Sequence, residues 1–213
     1  MCALRSFIII SSNKTAECIV GHGLKIQVNE MNLIQITASL LITVLASISV
    51  NADQNDPRLD KLFFNLTVNS DLKLSYQLTN EIWRIWSIHN KKEINILFSN
   101  AGKAMYKQDY ETALKSYNEI VVLAPNFAEG WNKLATVYFL MGDYSASLAN
   151  IEETLKLEPR HFGALSGRGQ CYFELQKFQF ALDAFEEALA VNPWLYDVYK
   201  NIQIVKKLLN QQA

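Results

Sequence analysis

Few side chains in this chain are spaced for chemistry. After residue 52 there are two histidines, His89 and His161. Neither has a second His or Cys at the short spacing a metal site requires. Each is expected at a helix terminus: His89 at an end, where a cation is welcome, and His161 at a start, beside Pro159-Arg160. Two pairs of adjacent acids occur, Glu152-Glu153 and Glu186-Glu187. Acid–base catalysis needs two carboxylates converging in a cleft. Neighbouring residues on a helix point apart, so these pairs read as solvated charge. Cys171 is the one cysteine after residue 52, since Cys2 and Cys18 precede it. It has no partner for an internal disulfide there and reads as a buried thiol. There is no G-x-S-x-G nucleophile motif and no phosphate-binding P-loop. The expectation is a protein without catalysis and without a cofactor.

The informative spacing is of another kind. Pro125, Pro159 and Pro193 are separated by 34 residues, and other columns keep the same step. Tyr110, Tyr144 and Phe178 align, as do Leu114, Leu148 and Leu182, and Ala113, Ser147 and Ala181. The acidic pairs above are two members of one such column. A period of about 34 residues is that of a helix–turn–helix unit. One unit cannot bury its own apolar face, but stacked units can, so the chain must form a small solenoid. The pattern predicts helices over 95–107, 110–123, 127–141, 144–157, 161–175 and 178–191, and a further polar-ended helix over about 195–210. The runs Gln108-Asp109-Tyr110, Gly142-Asp143-Tyr144 and Gln176-Lys177-Phe178 break the paired helices. Only the second has a glycine for a left-handed turn, so the other two are expected to strain or tighten. Each proline stops one unit and redirects the chain into the next.

The residues Trp131, Leu134, Tyr138, Gly142, Asp143, Tyr144 and Pro159 resemble the tetratricopeptide repeat (TPR) pattern. Gly169, Tyr172, Ala181, Phe185, Ala188 and Pro193 fit it in the third copy. The first copy fits at Ala101, Tyr110, Ala113, Tyr117 and Pro125 but has Asn100 where Leu is usual. The resemblance implies an all-α, right-handed TPR superhelix (an α-solenoid) with repeats at 94–127, 128–161 and 162–195 and a capping helix at 196–213. It also implies a concave groove lined by the first helix of each copy. By position in the repeat, the groove residues are Phe98, Met105, Asn132, Lys133, Thr136, Phe139, Gln170 and Phe173. A surface of Met, Phe and amides suits an extended peptide or a partner helix. Equally, the column could pack on this chain's own N-terminal hairpin or last helix. Some members of the family clamp a C-terminal carboxylate with Lys and Asn. Here Phe98 and Gly102 replace those residues in the first copy, and Gly163 and Gly167 replace basic ones in the third, so no such clamp is expected. The family binds partners rather than transforming them. The implied function is a protein or peptide interaction module, with self-association open and nucleic acid excluded by charge.

That charge is −1 over 213 residues, with no basic face and no acidic tail. Ahead of the repeats, residues 53–93 predict a helical hairpin covering the first repeat. Asp56-Pro57 opens one helix, with Leu59, Leu62, Phe63 and Leu66 on a face, and Leu74, Leu78, Ile82, Ile85 and Trp86 mark a second. Asp56-Pro57-Arg58-Leu59-Asp60 with Glu81-Ile82-Trp83-Arg84-Ile85-Trp86 resembles the leader region of exported bacterial TPR proteins. Leu33 to Val50 holds no charged residue and ends in Val50-Asn51-Ala52. This reads as a secretory signal over 31–52 starting at Met31, or else as a retained membrane anchor. Either reading puts the repeats outside the cytoplasm, in a periplasm or its equivalent. Residues 1–30 show no helical or strand period and read as an extension ahead of the natural start.

Overall fold

The structure is a computed structural model that describes residues 10–12, 15–20, 24–29 and 53–212. The chain divides into two compact units, residues 1–50 and 51–213. The expected signal or anchor over 31–52 lies outside the described residues.

In the first unit three strands form one antiparallel sheet: β1 (Ile10–Ser12), β2 (Thr15–Val20) and β3 (Leu24–Asn29), in the order β1-β2-β3. Cys18 pairs with Ile26, and Val20 with Leu24. This corrects the expectation that residues 1–30 carry no period. Leu24, Ile26 and Val28 alternate with Lys25, Gln27 and Asn29, which is the two-residue rhythm of a strand.

In the second unit the described residues form nine helices. A hairpin comes first: α1 (Arg58–Val68) and α2 (Leu72–Trp86). Three helix pairs follow: α3 (Lys92–Tyr106) with α4 (Tyr110–Leu123), α5 (Ala128–Leu140) with α6 (Tyr144–Leu157), and α7 (Phe162–Glu174) with α8 (Phe178–Val191). The last helix is α9 (Tyr196–Gln212). Thus the unit is an all-α TPR solenoid.

The 34-residue columns explain how each pair closes. Asp109 and Asp143 cap the second helices, accepting the amides of Thr112 and Ala146. The preceding first helices end in a left-handed residue: Gly142 at φ 81°, Gln108 at 60° and Gln176 at 57°. Each such turn is sealed by a return bond to the helix before it. Asp109, Asp143 and Lys177 donate their amides to the carbonyls of Ala104, Tyr138 and Tyr172. The two glutamines therefore keep the same geometry as the glycine, at a cost of roughly 1 kcal/mol each. The residue before each proline (Ala124, Glu158, Asn192) is a helix C-cap at φ −140°, −139° and −131°, outside the helical region that a following proline disfavours, and Glu158 and Asn192 are extended.

The hairpin does not cover the first repeat. It lies along the edge where the proline turns are; with Gln54 just ahead of it, it reaches all three. At the first turn Gln54 accepts the amide of Ala128. At the second, Arg160 pairs with Asp60 at 2.7 Å and sits over the ring of Phe63 at 4.5 Å. At the third, Asn192 donates to Thr79, and the indole of Trp194 donates to the carbonyl of Leu66 at 3.1 Å. The hydrophobic cluster of Leu59, Phe63, Leu66, Ile82, Ile85 and Trp86 closes on Phe162, with Val191, Trp194 and Leu195 against it. The turns present large apolar side chains on that edge, and the hairpin's apolar face is the surface that shields them from water.

Candidate functional site: a groove between the first helices

The second-copy first helix, α5, presents Asn132, Thr136 and Phe139 at helical spacing. The third, α7, presents Gly163, Ser166, Gly167 and Gln170 opposite them. With the start of α9 and Trp83 of the hairpin, these residues enclose a cavity of about 530 Å3. A second cavity of about 350 Å3 continues from it between α5, α7 and α9, sharing Phe139 and Gln170 and adding Phe173 and Ile204. Clefts of this size accept small ligands or a few peptide side chains.

The groove residues expected from sequence separate into two sets. Asn132, Thr136, Phe139, Gln170 and Phe173 line one cavity or both. Phe98 and Met105 line neither. Phe98 packs edge-on against Tyr117 and Phe127, with ring centroids 5.7 and 5.6 Å away, and Met105 packs on the same first-repeat cluster. Lys133 lies beside the groove: its Nζ stands 3.1 Å from Glu129 Oε1 and 5.5 Å from the ring of Trp83. Phe173 also contacts the cluster built around Val198 and Ile202 of α9. The groove therefore belongs to the second and third copies and the last helix, not to the whole solenoid.

Four of the residues that shape it have no groove role in the sequence reading. Trp83, Trp194 and Tyr196 supply aromatic wall, and Glu129 supplies the anchor beneath. Glu129 is 1% exposed and His161 is fully buried. Glu129 Oε2 accepts from Asn132 at 2.8 Å and from His161 Nε2 at 2.9 Å. His161 Nδ1 accepts the amide of Ala164 at 3.1 Å, capping α7. With Nδ1 accepting, the ring proton belongs on Nε2, so the imidazole is neutral and donates to the carboxylate. Burial pushes the Glu129 carboxyl up, but Lys133, His161 and Asn132 together hold it below the ordinary glutamate range. Both imidazole nitrogens are engaged and no face meets solvent, so the pair cannot shuttle a proton to a substrate. It fixes the starts of α5 and α7 relative to each other.

The aromatic layer above is equally fixed. Trp86 stacks on His161 at 4.1 Å and 12°, and Trp83 stands edge-on to Trp86, His161 and Phe162 at 5.3–5.5 Å. Room for Trp83 exists because residue 163 is glycine: a Cβ there would come 2.4 Å from the indole. Among the described residues no group of three or more His, Cys, Asp or Glu is placed to hold a metal ion. No described helix is long and apolar enough to cross a membrane.

The comparisons with known proteins agree with this architecture. The family of anaphase-promoting complex (cyclosome) subunit 3 matches residues 106–188. The chain is 38% identical over 136 residues to a TPR repeat-containing protein of Rhizobium etli, which is 64% of this chain and 67% of that protein. It is 23% identical over 117 residues to small glutamine-rich tetratricopeptide repeat-containing protein 2 of Mycosarcoma maydis, covering 55% of this chain and a third (33%) of that longer protein. Among solved structures, the first TPR domain of Spaghetti (RPAP3), bound to the HSP90 peptide SRMEEVD, superposes with a TM-score of 0.55 at 19% identity, over 57% of this chain and 96% of that one. The Yersinia enterocolitica type III secretion chaperone SycD, in complex with a peptide of the translocator YopD, superposes at 0.53 and 14% identity, over 55% and 95%. Three 34-residue units folded as paired helices, and a relative of this identity matched over two-thirds of its length, make this chain a member of the tetratricopeptide-repeat family.

Proposed function

We propose that the solenoid is a non-catalytic interaction module that takes a peptide segment of a partner protein into the α5–α7–α9 groove. The observation that carries this reading is the pair of adjoining cavities on the face formed by successive first helices. Support by likeness comes from SycD and the first TPR domain of RPAP3, whose solved structures hold peptides. A photo-crosslinking residue at Gln170, which lines both cavities, tests it against one at Gln179 on the surface of α8. The reading expects crosslinks from position 170 to one discrete partner segment and none to that segment from position 179. Equal crosslinking from both positions refutes it.

We also propose that the protein is exported, with residues 31–52 as its leader. The uncharged run Leu33–Val50 and the short residues after it support this. A native chain beginning at Asp53 supports cleavage. A native chain that still carries 33–50 and fractionates with membranes turns the reading into a tethered subunit of an envelope assembly.

A further inference from the structure

The groove carries charge of one sign. Asp197, in the first turn of α9, lines the larger cavity, and Glu174, at the end of α7, lines the smaller; no Lys, Arg or His lines either. The nearby cation, Lys133, is committed to the buried Glu129. Asp197 meets Lys200 at 3.4 Å, but both are largely exposed, and an exposed pair of that kind is weak and yields readily to a competitor. Glu174 accepts at most a long bond of 3.5 Å from the Tyr144 hydroxyl. The walls beside Asp197 are aromatic, Trp83, Trp194 and Tyr196, with Phe139 shared by both cavities; the faces of Trp83 and Tyr196 already attract Lys133 at 5.5 Å and Lys200 at 4.3 Å. Aromatic faces attract cations and repel anions. The acidic end of a peptide such as SRMEEVD, held by the RPAP3 domain, has no basic counterpart here.

We infer that the occupant of this groove is a basic peptide: a segment with an apolar anchor residue in the larger cavity and Lys or Arg side chains reaching Asp197 and Glu174. This rests on the proposed peptide-binding role, and the test separates the two. A library of random 12-residue peptides is displayed on phage and selected on the full chain. Binding of an enriched peptide is then measured by fluorescence anisotropy at two salt concentrations. The comparisons are the double variant Asp197→Asn/Glu174→Gln, the groove-filling variant Gln170→Trp, and the same peptide with its basic residues changed to Glu. The inference expects an enriched pool of net positive charge. It expects about tenfold weaker binding to the double variant, two exposed contacts of ordinary strength acting together. The charge-reversed peptide loses at least as much, and salt weakens the parent complex. A neutral or acidic pool whose binding is still abolished by Gln170→Trp overturns the charge inference and leaves the groove reading standing. Enriched peptides that bind Gln170→Trp as well as the parent, or a library with no enrichment, overturn both.

Discussion

Replacing Gly163 by alanine tests how the hairpin is seated on the solenoid. The added Cβ would lie 2.4 Å from one carbon of Trp83 and 2.9 Å from the next. Trp86, His161 and Phe162 pack against its ring, so Trp83 can yield only toward the groove it lines, giving up those contacts. Overpacking of this kind costs about 2 kcal/mol. Against it stands the ordinary gain from Gly to Ala in a helix, about 0.5–1 kcal/mol. The net expectation is a loss of about 1 kcal/mol. In a Trp83→Ala background the clash is gone and only the helix gain remains, so the same substitution becomes stabilising. The cycle should then yield a coupling energy of about 2 kcal/mol, within the range for residues in direct contact. Urea unfolding followed by circular dichroism at the helix band reads this without relying on tryptophan emission. With a urea slope of about 2 kcal/mol/M, Gly163→Ala lowers the midpoint by about 0.5 M in the parent and raises it in Trp83→Ala. An equal shift of the same sign in both backgrounds would refute the seating of Trp83 against α7.

The buried acid makes a second test. Glu129→Gln keeps the shape but weakens two charge-assisted hydrogen bonds, for an expected loss of about 1–2 kcal/mol, while Glu129→Ala strands His161 and Asn132 and costs about 3–4 kcal/mol. Because the folded carboxyl is held below its ordinary range, its stabilisation is present above the unfolded glutamate value and is lost as pH falls through the folded one. Thermal melts of Glu129→Gln should therefore show a flatter acid limb below pH 5 than the parent, and an unchanged limb would contradict the network. At the helix turns, Gln108→Gly and Gln176→Gly should each raise stability by up to about 1 kcal/mol by relieving a left-handed side-chain residue, which a rise in melting temperature would register.

The solenoid could be read from the residues because repetition averages out local ambiguity. Each helix edge is written three times, by a proline, by an aromatic at the start of the second helix, and by a small residue at the close approach. The helices α4, α6 and α8 accordingly begin and end where the columns place them. The hairpin's two helices were legible from their own apolar faces, but its resting place was not. Its seat depends on Arg160, Asn192 and Trp194, which lie 100 or more positions away from the Asp60, Thr79 and Leu66 they respectively meet, and no local pattern encodes such a meeting. Glu129 was missed for a related reason. An acid in the first turn of a helix is ordinary on a surface, and only the fold brings His161 over it. Phe98 follows the repeat position of a groove residue, yet with Tyr117 and Phe127 beside it the first copy has core to fill there. The sheet at the front of the chain was signalled in β3 by alternation over six residues, short enough to pass as chance.

Backbone amide shifts of the full chain, titrated with a peptide enriched on it, test the central claim most directly. The account predicts that the largest perturbations fall on Thr136, Phe139, Gly167, Gln170, Asp197 and Asn201, along the two joined cavities. Perturbations concentrated instead on the outer helices α4, α6 and α8, with those six amides unmoved, would contradict it.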